Sequence, residues 1–268
     1  MKKLTPEFSY FMGFAQSDGC LSDSERNRGK FTVELQESDE DFLYTLGDIS
    51  GQKYSVRPRH RDTNFKKNYN SFVLTICSLE FRNYLKTLGM VSGRKDRVVA
   101  PPANVVEDDY VRGYYDGNGS IGFTAKRIPI VSVTTASDAV KNYIMHCILK
   151  HTGKTKDNNR NARDDVYNIA LTAEDAVQFI RGLYSNPCVV LPRKMEFAKA
   201  VMGWNRPEGM IRVPNKMFWT PDQDKFILFH SYKESMSQLN RSLNSVKARY
   251  WRLTGKCPRQ IKKGDMNG

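Results

Sequence analysis

The sequence predicts an α+β fold made of two copies of one small domain, followed by a short all-helical module. Three observations carry this. A glycine-bearing segment at positions 11–19 recurs at 111–119. After each copy, runs with helical spacing and runs with strand alternation follow in the same order. Beyond residue 216 the apolar residues keep helical spacing only, and eleven Lys/Arg against four acids give that stretch a net charge of +7.

Each half reads as helix, two strands, helix, two strands, helix. In the first, Phe11-Met12-Gly13-Phe14-Ala15-Gln16-Ser17-Asp18-Gly19 is an apolar helix stopped by a turn. Phe31–Leu35 alternates as a strand. A helix follows over 39–49 with Ser38 as N-cap. Strands over 54–59 and 71–77 and a helix over 79–88, closed at Gly89, complete the half. In the second, Val111-Arg112-Gly113-Tyr114-Tyr115-Asp116-Gly117-Asn118-Gly119 repeats the first segment. Strands over 121–124 and 129–134, a helix over 138–151, strands over 155–159 and 166–171, and helices over 174–184 and 194–202 follow. Ser38-Asp39 recurs as Ser137-Asp138, and Arg94-Lys95 as Arg193-Lys194.

The predicted boundaries are 1–100 and 101–204 for the two repeats and 205–216 for a linker holding Pro207, Gly209 and Pro214. A helical domain over 217–255 and a basic tail over 256–268 follow. In the helical domain, Thr220-Pro221 opens a first helix, with Trp219, Phe226, Ile227 and Phe229 on its apolar face. A second helix reads over 236–243. A third reads over 245–253, with Val246, Tyr250 and Leu253 facing inward.

Composition narrows the function. The 268 residues hold 42 Lys/Arg against 29 Asp/Glu, a net charge of +13. Such a balance predicts a polyanionic partner, nucleic acid before membrane. No apolar run nears the roughly 18 residues of a membrane span. The start, Met1 to Pro6, lacks a secretory core, so an intracellular protein is expected. Five cysteines without a C-x-x-C pair argue against zinc ribbons and disulfide scaffolds.

The duplicated segments carry the chemistry. Gly13 and Gly113 sit inside helices, where glycine costs about 1 kcal/mol relative to alanine. Close approach of two helix backbones accounts for them. Gly19 and Gly119 are expected to end each helix through their permissive backbone. Asp18 and Asn118 then lie at the negative ends of two helices. A carboxylate is unfavourable there unless a cation joins it, so the pair predicts oxygen ligands for a divalent ion.

FMGFAQSDG and VRGYYDGNGS resemble the paired motifs of LAGLIDADG homing endonucleases. The resemblance covers residues 5–200, including LKTLGMVSGRK and VVLPRK, and is to the single-chain members with two repeats. It implies αββαββα repeats whose motif helices pack in parallel. Each four-stranded sheet would form half of a saddle on double-stranded DNA. It implies a monomer, with Mg2+ or Mn2+ held by Asp18 and Asn118, and with Lys95, Lys194 and Gln36 supporting the scissile phosphates and water. The counterpart of Gln36 falls at Thr134 or Thr135. The implied reaction is site-specific phosphodiester hydrolysis leaving 3′-hydroxyl overhangs, in intron or gene mobility. Without flanking splicing segments, the chain reads as free-standing or intron-encoded.

Asn118 departs from the family's acid. An amide oxygen ligates a hard cation but adds no charge and takes no proton. A weakened second half-site is therefore expected, giving a nicking or disabled enzyme. The alternatives are a degenerate DNA-binding regulator and an RNA maturase acting on intron RNA. Asp116, two residues earlier, is expected to serve the helix interface instead.

Strand alternation lets one sheet face meet a DNA groove. Arg57, Arg59, Arg61, Lys66 and Lys67 suit that surface in the first half. Lys126, Arg127, Lys156, Arg160 and Arg163 suit it in the second. The helical module resembles Myb/SANT DNA-binding repeats in its Trp219 start and its RSLNSVKARYWRL helix. That resemblance implies DNA contacts from Lys247, Arg249 and Arg252.

Overall fold

The computed structural model describes residues 3–22, 29–62, 67–92, 98–155, 158–210 and 219–255. The chain divides into two compact units, Met1–Pro207 and Glu208–Gly268.

The first unit is organised around two helices, α1 (Pro6–Asp18) and α4 (Glu107–Asn118). Thr5 caps α1 by accepting from the Phe8 amide, and Pro6 fills its first position. Helix α4 opens with Glu107, Asp108 and Asp109, which favour its positive end. After α1 come β1 (Cys20–Ser22), β2 (Lys30–Gln36), α2 (Glu40–Ser50), β3 (Tyr54–Arg61), β4 (Tyr69–Cys77) and α3 (Leu79–Thr87). The strands form one antiparallel sheet in the order β1-β2-β4-β3. Phe31, Val33, Leu35, Leu74 and Ile76 turn one face into the core. There Phe11 of α1 meets the rings of Phe31 at 5.5 Å and Phe81 at 6.0 Å.

The second repeat follows α4 with β5 (Gly119–Phe123), β6 (Pro129–Thr135), α5 (Asp138–Thr152), β7 (Tyr167–Thr172), α6 (Ala173–Tyr184) and α7 (Pro192–Met202). Its strands pair antiparallel in the order β5-β6-β7. Ile121, Val131, Val133, Ile169 and Leu171 face the core. Among the described residues no helix is long and apolar enough to cross a membrane.

Several expectations are corrected. The strand expected over 155–159 does not form among its described residues; only an isolated bridge joins Arg160 to Tyr167. Asn158 and Asn159 there have poor strand propensity, and the chain turns back through Asn161 and Asp165. The described second sheet therefore has three strands. Ser38 does not cap α2: a 3-10 turn over Glu37–Asp39 intervenes, and the helix starts at Glu40. The short β1 pairs with β2 where no strand was read.

The second unit contains α8 (Pro221–Phe229), α9 (Tyr232–Leu239) and α10 (Leu243–Thr254). Thr220 and Ser231 each make a capping box, with Gln223 and Glu234. Asn240, in the left-handed region, closes α9 earlier than expected. Among the described residues of this unit, Ile227 and Val246 are the buried apolar ones, whereas Phe229 (84% exposed) and Leu253 (38%) lie outside, against expectation. The Arg241 guanidinium lies over the Trp219 ring at 4.4 Å.

Candidate active site

Helices α1 and α4 run side by side in the same direction, with their backbones in contact. A Cβ on Gly13 would overlap the Tyr110 carbonyl oxygen and stand 2.8 Å from the Tyr114 nitrogen. One on Gly113 would overlap the Tyr10 carbonyl oxygen and stand 3.0 Å from the Phe14 nitrogen. The two sets are related by the same hundred-residue shift as the motifs, so the contact is pseudo-symmetric. The approach holds to the helix ends: a Cβ on Gly117 would overlap the Ser17 hydroxyl and lie 3.3 Å from Asp18 Cβ. The chain positions of Asp18 and Asn118 are thereby brought together, and both residues are exposed.

The glycines that follow have a different reason from the one expected. Gly19 (φ −77°) and Gly119 (φ −92°) are extended, not left-handed. Space demands them: a Cβ on Gly19 would meet the Phe31 ring at 2.6 Å, and one on Gly119 the Tyr115 carbonyl oxygen at 2.6 Å.

Below the helix ends, polar side chains cross the interface. Tyr10 donates to the Asp116 carboxylate at 2.6 Å, and Tyr110 donates to the Gln16 side-chain oxygen at 2.5 Å, again a pair related by the repeat. Asp116 also accepts from Tyr184 (2.6 Å) and from the Leu191 amide (2.8 Å). Burial pushes its carboxyl above the ordinary range, against the pull of these donors and of Lys194. Asp116 thus joins the two helices and the N-cap residue of α7, with both oxygens engaged.

Lys194 lies in the first turn of α7, buried, with its ammonium donating to the Gly119 carbonyl. Burial and the neighbouring Arg193 lower its pKa, while Asp116, Asp39 and Asp18 oppose them. Lys194 therefore senses the Asp18 charge from beside the end of α4. Lys95, expected as its counterpart, lies outside the described residues.

Gln36, at the end of β2, donates to Asp39 at 3.1 Å. Arg193 reaches the same carboxylate with two nitrogens, at 3.1 and 3.0 Å. This ion pair ties the second repeat to the first beside the helix ends. Sequence reasoning missed it, although Ser-Asp and Arg-Lys were both duplicated. On the other side, the Asn118 amide donates to the Thr134 carbonyl at 2.7 Å. Thr134 in turn donates to Asn168 at 3.0 Å, while Thr135 is buried and accepts from Tyr114 at 3.1 Å. The two flanks are chemically unequal: Gln36, Asp39 and Arg193 on one, Thr134 and Asn168 on the other.

The outer sheet faces are unequal too. In the first, Lys30, Arg57, Arg59 and Arg61 share a face with Glu34 and Gln36 by register. Glu34 holds Arg59 at 3.1 Å and Arg61 at 2.9 Å. In the second, the strands present Ser120, Ser132, Thr134, Asn168 and Thr172, without a charge. Lys126 and Arg127 are exposed at the β5–β6 turn, where Arg127 has a φ of 56°. Lys67 is exposed before β4; Lys66 and Lys156 fall outside the described residues. Arg163 is exposed and pairs with Asp164 at 2.8 Å.

Two arginines expected at a DNA surface are engaged within the protein. Arg160 donates to the Ala136 and Asp165 carbonyls and to Asp138, and stacks over Tyr167 at 4.6 Å. Arg249 grips Asp224 with two bonds, of 2.7 and 2.6 Å, and stitches α10 to α8. Lys247 is half-buried and Arg252 exposed on α10.

The donors at the helix ends suit a hard divalent cation. Asp18 offers a carboxylate, and Asn118, its nitrogen committed to Thr134, has its side-chain oxygen left as an acceptor.

No protein-family model and no curated protein matches the chain. Solved structures do. The homing endonuclease I-WcaI bound to its DNA recognition sequence superposes with a TM-score of 0.55 at 9% identity, covering 74% of this chain and 88% of that one. Mesophilic variants of the homing endonuclease I-DmoI give 0.49 at 16% identity, over 73% of this chain and 97% of that one. The meganuclease I-SmaMI bound to uncleavable DNA gives 0.48 at 13%, over 97% and 99%. The paired helices, the two antiparallel sheets and the likeness to I-WcaI together give the first unit the LAGLIDADG homing endonuclease fold.

Proposed function

We propose that this protein is a site-specific, metal-dependent DNA endonuclease with two unequal half-sites, cutting one strand of its target much faster than the other. The observation that carries the reading is the contact of α1 with α4, which brings Asp18 and Asn118 together at two helix ends. The resemblance of the motif pair and the fold shared with a DNA-bound homing endonuclease support it.

Asp18 and Asn118 would hold Mg2+ or Mn2+, which supplies an activated water and neutralises charge on the leaving oxygen. Asp18 would offer such an ion a full charge, whereas Asn118 would offer only a dipole. Lys194, anchored on the Gly119 carbonyl, holds a positive charge beside the end of α4 and favours a phosphate there. Gln36 donates to Asp39, which Arg193 holds in place, and as the counterpart of Thr134, which touches Asn118, it would serve the Asp18 side. Thr134 has no side-chain amide to offer, and its carbonyl and hydroxyl already bond Asn118 and Asn168. The carboxylate and the oriented amide therefore belong to the Asp18 side, and Lys194 to the end of α4.

The arginine-bearing sheet would grip phosphates and guanine edges, and the uncharged sheet would read base edges through hydroxyl and amide groups. The second unit, with Lys247 and Arg252, would extend the footprint as a Myb-like module. The protein would act as a monomer inside the cell.

The reading is tested by selecting bound duplexes from a randomised library in Ca2+ and then adding Mg2+. Specific binding followed by cleavage, with cleavage alone lost in Asp18→Asn, supports it. Binding with no cut on either strand would favour a regulator, and preference for structured RNA a maturase.

A further inference from the structure

At the far end of α4 from Asn118, a second set of donors converges. Asp108 lies in the first turn of α4, and Cys147 and His151 lie one turn apart on α5. His151 Nε2 stands 2.9 Å from Asp108 Oδ1, and Cys147 Sγ stands 3.6 Å from the same oxygen. The three ligand atoms lie within 4.8 Å of one another. Tetrahedral bonds of about 2.0 Å to nitrogen and oxygen and about 2.3 Å to sulfur put ligand atoms roughly 3.3–3.6 Å apart. The trio is already near that spacing. Cys147 is buried, while Asp108 retains a third of its side-chain surface and leaves a way in from solvent.

One further observation points to a ligand. The Tyr115 hydroxyl, two turns along α4 from Asp108, is fully buried and has no hydrogen-bond partner among the described residues. It lies close enough to Cys147 for the two to interact electrostatically. A buried hydroxyl rarely goes unpaired, and a metal-bound water would give it a partner. On α6, a Cβ at Gly182 would overlap the His151 ring. The glycine leaves room for the imidazole to stand with Nε2 toward Asp108.

We propose that Asp108, Cys147 and His151 form a second metal site, for a divalent ion of the zinc type, which clips α4 to α5. A thiolate and an imidazole select such an ion over Mg2+. The site is separate from the oxygen-donor centre at Asp18 and Asn118, about 15 Å away along α4 at the helical rise. A water completes the tetrahedron beside Tyr115. On binding, the Cys147 S–H bond breaks, its proton goes to solvent, and the sulfur lone pair takes the metal.

Lys150 is the built-in competitor. Its ammonium holds both Asp108 oxygens, at 2.8 and 2.9 Å, and Glu107 at 3.2 Å. The ion displaces it onto Glu107, which also accepts from His146 at 2.6 Å.

The test is a Co2+ titration of the full chain in excess Mg2+, followed by competition with Zn2+. One equivalent of Co2+ should bind with a thiolate-to-metal band in the near ultraviolet, bleached by Zn2+, and Zn2+ should raise the thermal midpoint. Cys147→Ser should abolish the band, while Cys188→Ser keeps it. His151→Asn should weaken binding by about 10–100-fold or more, and Lys150→Ala should tighten it. Circular dichroism of each variant confirms folding. Absence of a saturable band in the unaltered chain, or a band that survives both Cys147→Ser and His151→Asn, overturns the proposal. Neither outcome depends on DNA cleavage.

Discussion

The side-chain amide of Asn118 donates to the carbonyl oxygen of Thr134 at 2.7 Å, so the residue is a structural member of its half-site. A carboxylate in that position has no proton to donate and would set oxygen against oxygen. Asn118→Asp should therefore lower stability by about 1 kcal/mol while adding the charge that a second ion needs. Thermal melts with and without Mg2+ check this. The loss should appear without metal and shrink with it.

The glycine contact at the helix pair should be the least tolerant point of the first unit. Gly13→Ala or Gly113→Ala drives a methyl group into the facing backbone. Each should cost about 3 kcal/mol or more, the upper range for overpacking, as measured by denaturant unfolding. Gly122→Ala, where a Cβ meets no described residue within 4 Å, should change stability little.

Arg193 and Asp39 join the repeats beside Gln36. Arg193→Ala leaves the buried Asp39 carboxylate with a weaker set of donors. Because Arg193 is 40% exposed, the loss should be about 1–2 kcal/mol, below the roughly 3–5 kcal/mol of a fully buried pair. A double-mutant cycle with Asp39→Asn should show strong coupling. Cleavage on the Asp18 side should slow as well, since Gln36 loses its fixed orientation.

The second unit should be acid-sensitive through Asp224. The Arg249 guanidinium holds its carboxyl below the ordinary range. A depressed folded pKa adds stability above the unfolded pKa of about 3.9, lost as pH falls through the folded value. Unfolding of the unit followed at pH 7 and at pH 3 should show the loss, and Arg249→Ala should remove the pH dependence of this step.

DNA affinity should fall steeply with salt. If about 6–10 phosphates are neutralised, log K should fall with log salt at a slope of about −5 to −9. Replacing Arg57 and Arg61 by Ala should make the slope shallower. Replacing Ser132 and Asn168 by Ala should leave the slope unchanged and alter only sequence preference. Removing residues 216–268 should weaken binding without unfolding the first unit.

Much of this architecture was legible because it was written twice. Gly13 and Gly113, and Asp18 and Asn118, stood out by repetition, and their helical context said that two backbones must touch. Ser137 and Gly89 marked helix ends through local chemistry, and the structure has Ser137 accepting from Val140 and Gly89 at a φ of +86°. What escaped depends on contacts distant in sequence. Nothing near Asp39 announces Arg193, 154 positions away. Arg160 and Arg249 looked like solvent-facing charges, because their acidic partners come from other segments. Gly19 and Gly119 were expected to end each helix through a permissive backbone, but their backbone is extended, and a neighbouring ring and carbonyl exclude a side chain there. The strand expected over 155–159 was inferred from symmetry with the first repeat, and its asparagines and charges outweigh that symmetry.

Strand-resolved cleavage of a selected target with Mg2+, comparing the chain as written with Asn118→Asp, tests the unequal half-sites most directly. One strand should be cut first by the chain as written, with second-strand cleavage accelerated at least tenfold in Asn118→Asp. Equal rates on both strands in both proteins would contradict the account.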